Sequence, residues 1–127
     1  MAMEPVFTDR ELDVMAVLWH RGPSTVAEVR EGMADELAYT TVLTFLRVLE
    51  GKGYVGHQEE GRAHRYHALV AEEKAGKSAL RRMTRKLFRG SPELVLTQLV
   101  SDRTLTEDDL RRMRDLLDER LRKERVK

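Results

Sequence analysis

The stretch that most constrains this chain runs from Leu37 to Gly53, LAYTTVLTFLRVLEGKG. Val42, Phe45, Leu46 and Leu49 recur at helical spacing, and Leu43 and Val48 widen the apolar arc. Thr40 reads as the N-cap and Gly51 or Gly53 as the stop. The spacing predicts a helix of about thirteen residues, roughly 20 Å long at 1.5 Å per residue. Its other face, Tyr39, Thr41, Thr44 and Arg47, is small and polar. The hydroxyls sit near the N-terminus, where the helix dipole and free N–H groups favour an anion. A face of this kind suits the major groove of DNA. On this stretch alone, an ordinary core helix with threonines toward solvent fits as well. The flanking segments separate the two readings.

Upstream, Thr8-Asp9-Arg10-Glu11 is a capping box, Thr8 as N-cap and Glu11 three residues on. Leu12, Met15, Ala16, Leu18 and Trp19 follow at helical spacing, with Trp19 read as core filler, and Gly22-Pro23 closes the helix. A second helix opens at Ser24 or Thr25, where Glu28 completes another box, and Val26, Ala27, Val29, Arg30 and Met33 give it a narrower apolar face. Residues 35–38 connect it to the Leu37–Gly53 stretch, which makes a helix-turn-helix layout. After Gly53 the period changes. Residues 54–59 and 63–68 are two short strands around Glu60-Gly61-Arg62, whose glycine serves a tight turn. Three helices followed by a hairpin is the winged-helix arrangement, with Arg62 at the tip and Arg65 behind it.

From Ala71 to Phe88 the pattern is helical again through Ala75, Ala79, Leu80, Met83 and Leu87, with a basic run of Arg81, Arg82, Arg85, Lys86 and Arg89 on the other faces. Gly90-Ser91-Pro92 breaks the chain and starts a short helix, with Ser91 as N-cap. That helix, through Leu94, Val95, Leu96, Leu99 and Val100, is apolar on nearly every side and must be covered. Thr106-Glu107-Asp108-Asp109 opens the last helix, lined by Leu110, Met113, Leu116, Leu117 and Leu121. Its charged tail, Arg120 to Lys127, is expected to fray. Pairing with the same segment of a second chain would cover the apolar surface. Leu94, Val95, Leu99, Leu110, Met113 and Leu117 are the residues expected at such a dimer contact.

The totals bound the remaining possibilities. At 127 residues the chain fits one domain or a small domain with an appended module. There is no cysteine, which excludes disulfides, thiolate nucleophiles and Cys-based metal sites. No apolar run approaches the ~20 residues of a membrane span, and the N-terminus lacks a signal-peptide pattern, so the expected location is the cytoplasm. Residues 1–70 carry seven basic and eleven acidic side chains, and residues 71–127 sixteen basic and eleven acidic. A DNA-binding module is usually basic, so a reading face must come from local segregation: most acids lie before Leu37, whereas Arg47, Lys52, Arg62 and Arg65 lie within or after the third helix. His57, His64 and His67 cluster in the hairpin, but His64 and His67 point to opposite faces of one strand, and neither count nor spacing matches a closed metal site. No nucleophile elbow, phosphate-gripping glycine loop or paired-carboxylate cleft is present, so an enzyme is not expected.

Five segments also match a known family in order and spacing: Thr8 to Trp19 (Thr-x-x-Glu-x-x-Val-Met-x-x-Leu-Trp), Val26 to Val29, Ala38 to Leu49, Lys52 to Val55, and Gly61 to Tyr66 (Gly-Arg-Ala-x-Arg-Tyr). Together they resemble the BlaI/MecI penicillinase-repressor family, which includes the CopY copper-responsive repressors. The resemblance implies a mostly α fold with a small β-hairpin: a winged helix-turn-helix domain over residues 1–70, then a helical dimerisation module over 71–127. It implies a homodimeric repressor of β-lactamase or other stress-response genes on a palindromic operator; from the residues themselves no cofactor or metal is expected. Tyr39, Thr40, Thr41, Thr44 and Arg47 would then belong to the operator-reading helix, and Lys52, Arg62 and Arg65 would be backbone or wing contacts. A protease acting on induction is a further implied partner. Two departures stand out: the cysteines of the copper-responsive branch are absent, and with no Asn in the chain so is the Asn-Phe bond cleaved in β-lactam-responsive members. The alternative is a winged helix used as a protein-interaction module without DNA binding.

Overall fold

A computed structural model describes residues 4–126. The chain divides into two compact units, residues up to Arg81 and residues from Arg82 onward. The first holds α1 (Asp9–Arg21), β1 (Ser24–Thr25), α2 (Val26–Gly32), α3 (Tyr39–Gly51), β2 (Val55–Glu60) and β3 (Ala63–Ala68), and α4 (Glu72–Leu87) runs across the division. The second holds the rest of α4, then α5 (Pro92–Val100) and α6 (Glu107–Val126).

Both upstream capping boxes form. The Thr8 and Thr25 hydroxyls accept from the N–H groups of Glu11 and Glu28, and each glutamate accepts in return from its threonine's N–H at 2.8 and 2.9 Å. Two short helices thus begin at fixed points, and their apolar stripes meet. Val14, Met15, Val17 and Leu18 of α1, Val26 and Val29 of α2, and Val42, Leu46 and Leu49 of α3 close one core with Val55 and Tyr66 from the strands. Gly32 lets α1 and α2 approach closely, because a Cβ there would meet Val17 Cγ1 at 2.8 Å. Trp19 lies at the margin of this core, half-buried against it, and donates its Nε1–H to the Val70 carbonyl at 2.7 Å.

The sheet has three antiparallel strands in the order β1-β3-β2. The third strand is not anticipated by the period, because β1 is two residues long and too short to show one. It pairs Ser24 with Tyr66 and Thr25 with Arg65. The hairpin loop is tighter than expected: Glu60 pairs with Ala63, leaving Gly61-Arg62 as a two-residue loop with φ +61° at Gly61.

Three further details differ from the expectation. The N-cap of α3 is Ala38 rather than Thr40, which lies inside the first turn. Val48 is solvent-exposed rather than part of the apolar arc. The tail of α6 stays helical to Val126, supported by Arg120–Glu124 and Lys123–Glu119 pairs one turn apart. The C-terminus of α3 is closed by a Schellman arrangement: Tyr54 N–H donates to Leu49 O, and Gly53 N–H, at φ +82°, to Glu50 O.

The second unit is built from good helix signals but buries little. Ser91 caps α5 by accepting from Leu94 N–H, and Thr106 and Asp109 form a reciprocal cap on α6. Neither α5 nor α6 contains a buried residue. Leu94, Leu99, Leu110 and Leu117 are exposed, and Val95 and Met113 are half-buried.

Candidate nucleic-acid interface

The exposed residues of α3 are Tyr39, Thr40, Thr41, Thr44, Arg47, Val48 and Gly51. They follow from the geometry of the helix: with Val42, Leu46 and Leu49 fixed in the core, positions 40, 44, 47, 48 and 51 must point away. All five α3 residues named from the sequence therefore lie on one open surface. It carries no carboxylate. The only acid of α3, Glu50, is half-buried and held by the ring of His57, Nδ1 to Oε2 at 2.6 Å.

The N-terminus of α3 differs from those of its neighbours. α1, α2, α5 and α6 start with hydroxyl caps, and acids stand in the first turn of each. α3 starts at Ala38 with no side-chain hydrogen bond and no acid in its first turn. The first N–H groups of α3 and the positive end of its dipole are therefore left for an external anion. Thr44 Oγ donates to Thr40 O at 2.9 Å, so its hydroxyl offers lone pairs outward and no proton.

The four cations named from the sequence fall into two groups. Arg47 on α3 and Arg62 at the hairpin tip are exposed and, among the described residues, form no hydrogen bond or ion pair. Lys52 and Arg65 are ion-paired to acids of the fold. Lys52 Nζ donates to both carboxylate oxygens of Glu11, at 2.8 and 3.0 Å. Arg65 donates from Nε to Glu60 at 2.5 Å and from Nη1 to Glu28 at 3.0 Å and the Pro23 carbonyl at 3.1 Å. Each capping-box glutamate thus holds one of these cations.

The carboxylates respond accordingly. Burial pushes Glu11 up, but hydrogen bonds from Lys52 and Thr8 together hold it below the ordinary carboxylate range. Glu28 is lowered chiefly by the Thr25 N–H, with Arg65 and Arg21 adding to it, and Glu60 by its hydrogen bond from Arg65. The hairpin histidines stack, His57 on His64 with ring centroids 4.4 Å apart, and no cluster of metal-ligating side chains forms among the described residues.

A helical core, a second helix set across it, an outward-facing third helix and a hairpin with a bare arginine at its tip define a winged helix-turn-helix protein. The penicillinase repressor family model matches residues 7–119. The chain belongs to that family, the BlaI/MecI family of transcriptional repressors, which are not enzymes. It is similar to the transcriptional regulator BlaI of Mycobacterium tuberculosis, 46% identical over 61 residues, a stretch that is 46% of this chain and 44% of that protein. It thus spans under half the length of that relative. The methicillin resistance regulatory protein MecI of Staphylococcus aureus is 20% identical over 112 residues, 87% of this chain and 91% of that protein. Among solved structures, a MarR family protein of Bacillus stearothermophilus superposes with a TM-score of 0.56 at 18% identity, over 97% of this chain and 78% of that one, a likeness of fold. No helix among the described residues is long and apolar enough to cross a membrane.

Proposed function

We propose that this protein is a homodimeric transcriptional repressor that binds a palindromic operator in double-stranded DNA and controls β-lactamase or other stress-response genes. The observation that carries the reading is the outer face of α3, bare of carboxylates and open at its N-terminus on a winged helix of this family. In this reading α3 enters the major groove, and Tyr39, Thr40, Thr41 and Thr44 meet base edges or adjacent phosphates. Arg47 and Arg62, the two of the four named cations that form no hydrogen bond or ion pair among the described residues, fix the register on the backbone. Lys52 and Arg65 stand behind them, holding α1 and α2 to α3 and the wing.

The second copy is supported by the apolar surface of α5 and α6. Leu94, Leu99, Leu110 and Leu117 are exposed on helices that contain no buried residue. Burying one such side chain is worth about 1.5–3 kcal/mol. A dimer closed through Leu94, Val95, Leu99, Leu110, Met113 and Leu117 would recover this several times over. Two-fold symmetry then sets two half-sites about one turn of DNA apart, ~10 bp, or a multiple of it. Release from the operator by a protease cutting in the exposed region 94–104 would appear as an inducer-dependent fragment, and an intact chain in fully induced cells would rule that route out.

The test is selection of bound duplexes from a random pool, followed by titration at two salt concentrations. Enrichment of a near-palindrome with salt-sensitive binding is the expected result. Operator affinity undiminished in both Thr44→Ala and Arg47→Ala would overturn the assignment of α3. Absence of any duplex binding would favour a winged helix that docks on protein.

A further inference from the structure

Val48 stands out on the outer face of α3. The other large aliphatic side chains of the helix are engaged: Val42, Leu46 and Leu49 are fully buried, and Leu43 is packed against the core. Val48 is 44% exposed and belongs to neither group. Its neighbours one turn away are Thr44 and Gly51–Lys52, and Arg47 precedes it. Helix stability does not account for a valine here, since β-branched residues are poorer helix formers than Ala, Leu or the long charged side chains. The surroundings are those of a surface that is cheap to dry. Thr44 spends its proton on Thr40 O, Gly51 has no side chain, and no carboxylate must be stripped of water.

We propose that Val48 is a specificity-determining residue that seats against the 5-methyl group of a thymine in the major groove. This rests on the operator-binding reading above. The chemistry picks the partner: of the groups that bases present there, the thymine methyl is the one apolar contact, and the others are hydrogen-bond donors and acceptors that a valine cannot satisfy. Arg47 beside it would anchor the adjoining phosphate or a guanine edge, so the methyl contact sets which base stands at that step. Val48 thereby adds a direct readout by a side chain with no polar group to leave unmet, whereas each threonine methyl stands beside a hydroxyl.

The experiment uses the full chain and the duplex it selects from a random pool. Each thymine of one half-site is replaced in turn by uracil, which removes the methyl group and leaves the pairing edge intact. Wild type and Val48→Ala are titrated on every duplex. One thymine is expected at which uracil weakens wild type about fourfold, the worth of one buried methyl group. Val48→Ala should bind the unmodified duplex more weakly and be indifferent to uracil at that position alone, while responding like wild type elsewhere. Val48→Thr, of the same shape with one methyl exchanged for a hydroxyl, should fold as the parent and lose part of the discrimination. Equal sensitivity of wild type and Val48→Ala at every thymine overturns the proposal. So does unchanged affinity of Val48→Ala, which would leave that face to another partner. If no duplex is selected at all, the operator reading itself fails and the inference with it. If selection succeeds and the uracil pattern does not depend on Val48, only the inference falls.

Discussion

Lys52 Nζ lies 2.8 and 3.0 Å from the two carboxylate oxygens of Glu11, a carboxylate that also accepts from the Thr8 N–H at 2.8 Å. One buried side chain therefore starts α1 and receives the residue that ends α3. Glu28 does the same for α2 and Arg65 of β3. The cap of each of the first two helices is thus also a tertiary joint, one tying α1 to the end of α3 and the other tying α2 to β3.

Removing Lys52 should therefore act on stability more than on DNA. Lys52→Ala leaves Glu11, 3% exposed, without its cation. An unmet charged partner of this kind costs roughly 1–3 kcal/mol, with the loss softened because Lys52 itself is partly exposed. Chemical denaturation should show that loss, and the salt dependence of operator binding should stay near that of the parent.

The same carboxylate makes stability depend on acid. Glu11 has its pKa lowered on folding, so the folded state binds its proton less readily than the unfolded chain does. Its contribution is complete above the unfolded value of about 4.3 and is lost as pH falls through the lower, folded value. Glu28 and Glu60 add in the same direction. Unfolding free energy measured from pH 7 to pH 3 should fall across the acid end, and Glu11→Gln should flatten that slope while lowering the value at pH 7.

The helices and the hairpin were legible in the chain because their signals are local. Thr8-Glu11 and Thr25-Glu28 cap as spaced, Ser91-Pro92 starts α5, and Gly61 turns the hairpin. What sequence could not convey is which partner wins when several are available. Lys52 and Arg65 read as phosphate contacts because nothing local marks Glu11 and Glu28 as their acceptors, 41 and 37 residues away. β1 forms because Tyr66 and Arg65 arrive beside it, a pairing two residues cannot announce. Val48 falls on the open face because Leu46 and Leu49 fix the rotation of α3, and an apolar arc alone leaves its edge undefined by one position.

Arg47 and Arg62 should separate cleanly from Lys52 in DNA titrations. Each is exposed and unpaired, so an alanine there leaves no carboxylate behind and should barely move the unfolding midpoint. If each neutralises one phosphate, its loss should weaken binding to all duplexes alike and lower the salt slope by about one. Arg47→Ala with an unchanged slope and altered preference at one base pair would place that guanidinium on a base instead.

The apolar surface of the second unit predicts how stability depends on concentration. α5 and α6 contain no buried residue within one chain, so a folded dimer should gain stability by mass action as protein concentration rises. The thermal midpoint should climb between micromolar and hundred-micromolar samples, and sedimentation should give the mass of two chains. Leu99→Asp or Leu117→Asp places a charge where the second copy would sit. At an exposed position of the isolated chain such a change costs the fold little, so the residues up to Arg81 should keep their structure while the mass falls to one chain. Operator affinity should fall with it, because two half-sites bound by separate chains lose the effective concentration that linkage provides. Unchanged mass in both variants would move the dimer contact elsewhere on the molecule.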